Sequence, residues 1–175
     1  MPSNQNVQAA LALIDSDNTK ILGLHVGKHQ NVQPGQYVPR ADAQSPPELS
    51  FNELDSSKAY LLVALDIDAP FPSFTALGPI LHWIQPNIKT TESTILGTGA
   101  PFVVNYIGPA PPPGSSPHRY IFFLYEQPAD FDASKYAPPG GKKLSNWYRM
   151  RYDLDAWAAE IGLGSVVAAN YFTSN

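Results

Sequence analysis

Cysteine is absent from this chain of 175 residues, and charged residues are scarce. The absence of cysteine excludes disulfide bonds, zinc–thiolate sites and cysteine nucleophiles. Charged side chains make up only 15% of the chain, and the formal net charge is −4. We therefore expect no basic surface of the kind that displaces counterions from nucleic acid or holds anionic lipids.

Long apolar runs are also missing, and so is a basic and apolar leader at the N-terminus. A membrane-spanning helix needs about 20 consecutive apolar residues, and a secretory signal needs a basic segment followed by an apolar one. We therefore expect no transmembrane segment, at most peripheral contact with lipid, and a cytoplasmic location. Hydrophobic residues nevertheless make up 43% of the chain, which is enough for one folded domain spanning residues 1–175.

What the chain does contain is a series of short apolar segments between turns rich in proline and glycine. Helical spacing predicts a short helix near residues 7–14, capped by Asn6, and a clearer helix at residues 153–161, capped by Asp153. Several strands with one late helix, separated by turns rich in proline and glycine, predict a mainly β fold, an antiparallel β-sandwich with a peripheral C-terminal helix. Apolar runs of strand length predict strands at residues 21–26, 36–39, 48–51, 59–65, 80–84, 102–106, 120–125 and 165–172.

A proline-rich loop precedes one of the predicted strands. Five of residues 109–117 are proline, and proline restricts the backbone while offering no N–H group. His118 and Arg119 follow the loop at once. A rigid loop that holds a histidine beside a strand is typical of a preformed site for a small ligand.

Two aspartates and two histidines are the main candidates for chemistry. Asp66 and Asp68 end an apolar strand, and alternation places them on one face of it. A buried carboxylate requires a compensating partner, and His82 and His118 are the candidate partners. Such a cluster can hold an anion through imidazole N–H groups while a carboxylate fixes the tautomer. Backbone N–H groups near Gly108 would add donors.

The same residue types also have other interpretations, because aspartate and histidine satisfy each other in protein cores. Arg119 is expected to pair with a nearby carboxylate, and Arg149 and Arg151 to lie on a solvated face. Two histidines and two aspartates suit a metal site, but their spacing is not diagnostic. A Ser–His–Asp hydrolase is disfavoured, because Ser115 and Ser116 lie in a loop without a G-x-S-x-G motif.

Two motifs resemble those of the phosphatidylethanolamine-binding protein (PEBP) family. The family motif D-P-D-A-P, followed by a strand that bears a histidine, corresponds here to DIDAP at residues 66–70 and then His82. The motif Y-x-G-P-x-P-P-x-G…H-R-Y-x-F-x-x-Y-E-Q is matched almost throughout at residues 106–127. Residues 162–172 resemble the family's C-terminal segment, so the resemblance covers most of residues 48–175.

The resemblance implies a PEBP-like β-sandwich with one small pocket for an anion, such as phosphate or a phospholipid headgroup. It also implies a cis peptide bond between Ala69 and Pro70, and a gate at the pocket mouth formed by Asn170 and Tyr171. The residues that would line the pocket are Asp66, Ala69, Pro70, His82, Ile107, Gly108, Ala110, Pro112, His118 and Tyr120.

The chain departs from the family motifs on one side of the implied pocket. Ile67 replaces the central proline of D-P-D, Leu81 replaces the first of two paired histidines, and residues 71–79 carry no charge. The implied mouth is therefore more apolar than in proteins that bind lipid headgroups. This difference favours an organic acid or a peptide carboxylate as the ligand.

The sequence thus predicts a binding protein for a small anionic ligand, with a lipid-headgroup or regulatory role and no metal or cofactor. The resemblance implies two alternatives. One is inhibition of a protease (carboxypeptidase) or a kinase by protein–protein contact. The other is an accessory enzyme in fungal polyketide or maleic-anhydride assembly, with an acid–base step on an anionic organic substrate. The candidate catalytic residues for that step are His82, His118 and Asp66.

Overall fold

The computed structural model describes residues 4–92 and 95–175, and these residues form mainly β-structure. The two α-helices are α1 (Gln5–Ser16) and α2 (Leu154–Glu160). The mainly β fold with a peripheral C-terminal helix is confirmed. The strands are β1 (Gly23–His25), β2 (Gln36–Tyr37), β3 (Glu48–Ser50), β4 (Tyr60–Asp66), β5 (Ile80–Glu92), β6 (Ile95–Gly97), β7 (His118–Glu126) and β8 (Val166–Ser174).

The strands join in the order β1-β3-β6-β5-β4-β7-β8-β2. Strand β5 connects the two halves of the sheet, because its first part pairs with β4 and its last part pairs with β6. All these pairings are antiparallel except that of β2 with β8. One core lies between the two halves, and a second core lies between β4, β7 and the helices.

Strand β4 is buried on both faces, as its continuous apolar run predicts. Leu62 and Ala64 contribute to the core between the sheet halves. Leu61, Val63 and Leu65 contribute to the core beneath the helices. Because β4 is central and fixed on both sides, the residue at its C-terminal end is held in a defined position.

The predicted strand at residues 102–106 is wrong, because Val104 makes only an isolated bridge to Ile84. The backbone nearby has other partners: the Ile107 N–H donates to the His82 carbonyl, and the Asn105 carbonyl accepts from the Arg149 guanidinium. Strand β5 also extends well past the predicted end at residue 84, and β6 was not expected.

The predicted N-cap of the first helix is also wrong. Helix α1 begins at Gln5 and is preceded by Asn4. The Asn6 side chain instead lies within α1 and donates to Asp155 at 2.7 Å, which ties α1 to α2. Neither described helix is long and apolar enough to cross a membrane.

Candidate anion-binding site

Strand pairing brings the predicted polar residues to one end of the sheet. Asp66, the last residue of β4, pairs with Ile80 of β5 on one side and with Tyr120 of β7 on the other. His118 begins β7 and lies on the same face as Tyr120, two residues further on. The C-terminal end of β4 therefore lies between the first residues of β5 and β7.

His82 reaches the same place through an irregularity in β5. Ala64 pairs with Trp83 while Leu65 pairs with Leu81, which leaves His82 as an extra residue between them. Such a bulge redirects a side chain. The His82 ring contacts the Tyr120 ring edge-on, with 5.0 Å between the ring centroids.

His118 is fully buried, and both of its ring nitrogens have partners. Nδ1 lies 2.8 Å from Asp66 Oδ2, and Nε2 lies 2.9 Å from Ser115 Oγ. Burial lowers the pKa of His118, but the hydrogen bond to Asp66 and the charges of Asp66 and Asp68 outweigh it and raise the pKa overall. The expected Asp66–His118 pair is therefore present, and it favours the protonated imidazole.

His82 has the opposite electrostatic behaviour. Its Nδ1 atom lies 2.7 Å from the Ile107 carbonyl oxygen, so Nδ1 carries the hydrogen and Nε2 of the neutral ring is an acceptor. Burial lowers the pKa of His82, and the charges of Arg149 and His118 lower it further, against the Ile107 carbonyl and Asp66. The ring is therefore neutral at neutral pH and becomes a second donor only when it binds a proton.

Tyr120 supplies a buried donor that lies near the Asp66 side chain and the Ala110 backbone but outside hydrogen-bond geometry with either. The residue is 3% exposed, and its hydroxyl has no hydrogen-bond partner. Its ring stacks on His118, with centroids 6.4 Å apart. Burial and the charge of Asp66 raise the pKa of Tyr120, so the hydroxyl stays protonated. An unsatisfied buried donor costs about 1–3 kcal/mol, which a ligand with a free oxygen atom would recover.

A buried guanidinium lies directly behind His82. Arg149 is completely buried and donates to the carbonyls of Leu81 and Asn105, both at 3.1 Å, and to Asn105 Oδ1 at 2.7 Å. In the described part of the chain, no carboxylate lies within ion-pair distance of it. Burial lowers the pKa of Arg149 to about 10, so it remains charged at neutral pH. The expected solvated position is therefore wrong for Arg149 and right for Arg151, which is exposed.

Asp68 does not share the position of Asp66, so the expectation that both lie on one face is wrong. Strand β4 ends at Asp66, and alternation does not continue past it. The Asp68 carboxylate accepts from Arg119 Nε at 2.9 Å and Nη2 at 2.7 Å, which is the pairing expected for Arg119. Asp68 is tied to the site through its backbone N–H, which donates to Asp66 Oδ1.

The loop residues implied by the family resemblance have mainly shaping roles. Gly108 packs against residues 43–44, where a Cβ atom would lie 2.8 Å from the Ala43 carbonyl oxygen. The Pro112 carbonyl accepts from the Ser115 N–H at 3.1 Å. Ala110 is exposed, and its backbone lies near the Tyr120 hydroxyl. None of these contacts tests a ligand role, which stays a prediction.

The turn after β4 has the expected backbone, since the Ala69–Pro70 peptide bond is cis. Ala69 is buried, and Pro70 is half-buried beside it. The Gly78–Pro79 bond, which closes the uncharged segment 71–79, is also cis. The turn and this segment thus connect Asp66 to the start of β5.

A joint gate of Asn170 and Tyr171 does not fit their positions. Asn170 is fully buried, and its amide donates to the carbonyls of Leu22 and Val32 at 2.8 and 2.9 Å. Tyr171 follows it in β8 and packs against the core beneath the helices, on the other face from Tyr120. Asn170 therefore links β8 to the segments around β1, and its hydrogen bonds leave no exposed surface at a mouth.

Two residues near the site have contacts that the sequence did not predict. Ser115 lies in a loop, as expected, but its contact with His118 was not predicted, and its position three residues before His118 is the one available signal. No sequence signal distinguishes the buried Arg149 from the exposed Arg151. Among the described residues, no group of three histidine or carboxylate side chains could hold a metal ion.

Comparisons with known proteins agree with this architecture. The family model described as phosphatidylethanolamine-binding protein matches residues 28–172. The carboxypeptidase Y inhibitor of Saccharomyces cerevisiae is 28% identical, over 87% of this chain and 82% of its own length. Phomoidride biosynthesis cluster protein N of Talaromyces stipitatus is 29% identical, over 86% of this chain and 82% of its own.

Among solved structures, carboxypeptidase Y inhibitor in complex with its cognate proteinase superposes with a TM-score of 0.74 and 27% identity, covering 99% of both chains. The family model and this superposition together cover the strands that carry Asp66, His82 and His118. The chain therefore belongs to the phosphatidylethanolamine-binding protein family.

Proposed function

We propose that this protein binds a small anionic group, a phosphate or a carboxylate, between His82, His118 and Tyr120. The observation that supports this most directly is the buried Tyr120 hydroxyl without a partner. A hydroxyl that cannot ionise at neutral pH donates to an anionic oxygen, and hydrogen bonds to charged groups are the strong ones. A ligand oxygen would supply the hydrogen bond that this hydroxyl lacks.

The charges around Tyr120 also favour an anion. Asp66 and a protonated His118 compensate each other at 2.8 Å, whereas the buried charge of Arg149 has no carboxylate partner among the described residues. One positive charge therefore remains next to His82. In a partly desolvated environment such a charge attracts an anion more strongly than it would in water.

The low exposure of the three residues that would contact the anion favours a ligand that presents a single compact anionic group. His82 is the most exposed of the three, and its exposed fraction is only 6%. The segment after the cis Ala69–Pro70 turn exposes Phe71 and Phe74. An organic acid or phosphomonoester with an apolar body fits this arrangement, because the acid group enters and the body stays outside.

Replacement of Tyr120 with phenylalanine should weaken phosphate binding about 10- to 100-fold, because a hydrogen bond to a charged group is lost. The same change should leave the free energy of unfolding equal or slightly higher, since it removes an unsatisfied buried hydroxyl. Phosphate titrations followed by the histidine ring resonances of His82 and His118 would measure the affinity, and urea unfolding the stability.

Tyr125→Phe is the matched control for this change. The Tyr125 hydroxyl is also buried, but it donates to Asn6 at 2.9 Å, outside the cluster. This variant should lose about 1 kcal/mol of stability and keep phosphate binding. Equal phosphate affinity in the wild type and in Tyr120→Phe, or no response of either histidine to millimolar phosphate, would contradict the proposal.

Inhibition of a serine carboxypeptidase is a second candidate function, and an exposed aromatic surface favours it. Residues 71–77 and 147–151 are joined by hydrogen bonds from Arg151 to the Leu77 and Ala76 carbonyls. Large exposed apolar surfaces mark sites of interaction, and a relative of this chain is named for inhibiting carboxypeptidase Y. The aromatic surface consists of Phe71, Phe74, Leu77, Trp147 and Tyr148.

If this second function holds, the protein inhibits carboxypeptidase Y, and the double change of Trp147 and Tyr148 to alanine raises the inhibition constant at least about 10-fold. Tyr37→Ala, which removes an exposed aromatic residue elsewhere, should have no effect. Tyr120→Phe should also leave inhibition intact. A carboxypeptidase Y assay with a chromogenic substrate would measure the inhibition constants. Absence of inhibition at micromolar protein would rule this function out.

A further inference from the structure

We propose that Ser115 is a nucleophile activated by His118 and Asp66, and that it accepts the acyl group of small carboxylic esters. This activity goes beyond anion binding, since it makes and breaks a covalent bond. It gives a role to the Ser115 side chain, which the binding proposal does not use.

The three side chains form a continuous hydrogen-bonded relay. Ser115 Oγ lies 2.9 Å from His118 Nε2, and His118 Nδ1 lies 2.8 Å from Asp66 Oδ2. A base beside the hydroxyl, itself oriented by a carboxylate, is the arrangement that turns serine into a nucleophile. Asp66 is oriented in turn by the Asp68 N–H, which donates to its other oxygen at 2.9 Å.

The loop holds Ser115 in this position from both sides. Its N–H donates to the Pro112 carbonyl, and its own carbonyl accepts from the Asn175 amide at 3.2 Å. Gly114, which precedes it, has φ +81°, a conformation that favours glycine. The loop prolines restrict the remaining freedom. The hydroxyl therefore needs little reorganisation to reach His118.

A second acceptor lets the relay exist in two protonation states. Ser115 Oγ also lies 2.9 Å from the Ser116 carbonyl oxygen. When His118 is protonated, its Nε2–H donates to Oγ and the hydroxyl donates to that carbonyl. When His118 is neutral, the hydroxyl turns and donates to Nε2. The second state is the reactive one, because only a neutral imidazole accepts the proton of the attacking hydroxyl.

Tyr120 supplies a donor for the charge that develops during the reaction. Its hydroxyl is buried and unpartnered, and its ring is stacked on His118. A preorganised donor in a site that excludes water stabilises a tetrahedral oxyanion strongly. The group that binds an anionic oxygen in the resting protein would thus bind the oxyanion in the transition state.

The reaction balances with ester and water as the only reactants. Ser115 Oγ bonds to the carbonyl carbon while its proton moves to His118 Nε2, and the carbonyl π electrons form the oxyanion. Collapse breaks the bond to the leaving alkoxide, which takes the proton from His118. Water then attacks the acyl-serine through the same base, releasing a carboxylic acid and restoring the hydroxyl.

A fluorophosphonate probe tests the nucleophile directly. The intact protein should become phosphonylated on the peptide that contains Ser115, identified by mass spectrometry, and should release p-nitrophenol from p-nitrophenyl acetate. Ser115→Ala should reduce both to background. Ser116→Ala is the matched control, because the Ser116 side chain is exposed and outside the relay, and it should behave as the wild type.

Asp66→Asn tests the relay rather than the hydroxyl alone. An amide no longer fixes the His118 tautomer, so phosphonylation should slow by about 100- to 10,000-fold, with an unchanged circular dichroism spectrum. No labelling of the wild type, labelling that survives Ser115→Ala, or an unchanged rate in a folded Asp66→Asn variant would each overturn the proposal. Because Ser115→Ala should keep phosphate affinity, failure here is distinguishable from failure of anion binding.

Discussion

Replacement of Arg149 with methionine is expected to lower the free energy of unfolding by about 3–5 kcal/mol. The guanidinium satisfies the carbonyls of Leu144, Leu81 and Asn105 and the Asn105 side-chain oxygen. Methionine fills a similar volume but donates no hydrogen bond, so these acceptors would remain buried and unpaired. Each such group costs about 1–3 kcal/mol, and removal of the charge itself recovers part of the loss.

Urea unfolding of the wild type and of Arg149→Met at neutral pH would measure this loss of stability, and Arg151→Met is the matched control. Arg151 lies two residues away and is exposed, and its side chain donates to one carbonyl, that of Ala76, at 3.0 Å. Its replacement should cost at most about 1 kcal/mol. A loss below about 1 kcal/mol for Arg149→Met would mean that water takes the place of the guanidinium.

Much of the fold could be predicted, because the relevant signals are local. The continuous apolar run of β4 predicted a strand buried on both faces, and helical spacing predicted α2. The segment at residues 102–106 failed because its backbone partners are Ile84 and Arg149, which lie far away in sequence. A strand depends on such partners, and no local pattern reports them.

The site divides in the same way. Asp66 and His118 could be paired from sequence because each lies at a strand end next to a turn. The bulge that turns His82 toward Tyr120 could not, since it depends on the register of β5 against β4. Ser115 was discounted for lack of a local motif, yet a relay needs spatial neighbours only. The loop provides those neighbours through a turn that ends on His118.

A consequence of the two histidines is that their protonation states differ in the free protein. The pKa of His118 is raised and that of His82 is lowered from the ordinary value of 6.5. At neutral pH the cluster therefore contains a charged imidazole, whose ring nitrogens contact Asp66 and Ser115, and a neutral imidazole whose Nε2 is an acceptor. The proposed anion would meet a donor at His82 only if a proton binds with it, so anion binding and proton uptake at His82 would be linked.

We therefore expect sulfate affinity to rise as the pH falls from about 8 to about 5. Sulfate keeps its charge over this range, so the change reports the protein. A bound anion favours protonated His82 and raises its pKa above that of the free protein. Between the pKa of His82 in the free protein and its pKa in the sulfate complex, the affinity for sulfate should increase about tenfold for each unit of pH decrease. Below the pKa of His82 in the free protein, the affinity should become independent of pH.

The groups that face His82 fix the sign of this effect. Asp66 favours its protonation, Arg149 and protonated His118 oppose it, and the Tyr120 hydroxyl is uncharged throughout. Loss of the His118 proton at higher pH would also weaken the proposed sulfate binding, so both histidines would favour binding at low pH. The contributions of the two histidines are separable, because His118 titrates at the higher pH and its contribution persists when His82 is replaced.

Calorimetric titrations in two buffers of different ionisation enthalpy would count the protons taken up with sulfate. His82→Gln should abolish the uptake on the acidic side of the range and leave the His118 step. His25→Gln removes a histidine from the distant strand β1 and should change neither step. Because glutamine keeps an N–H donor without a titrating group, proton uptake that survives in His82→Gln would show that another group takes up the proton and would exclude the assigned role of His82.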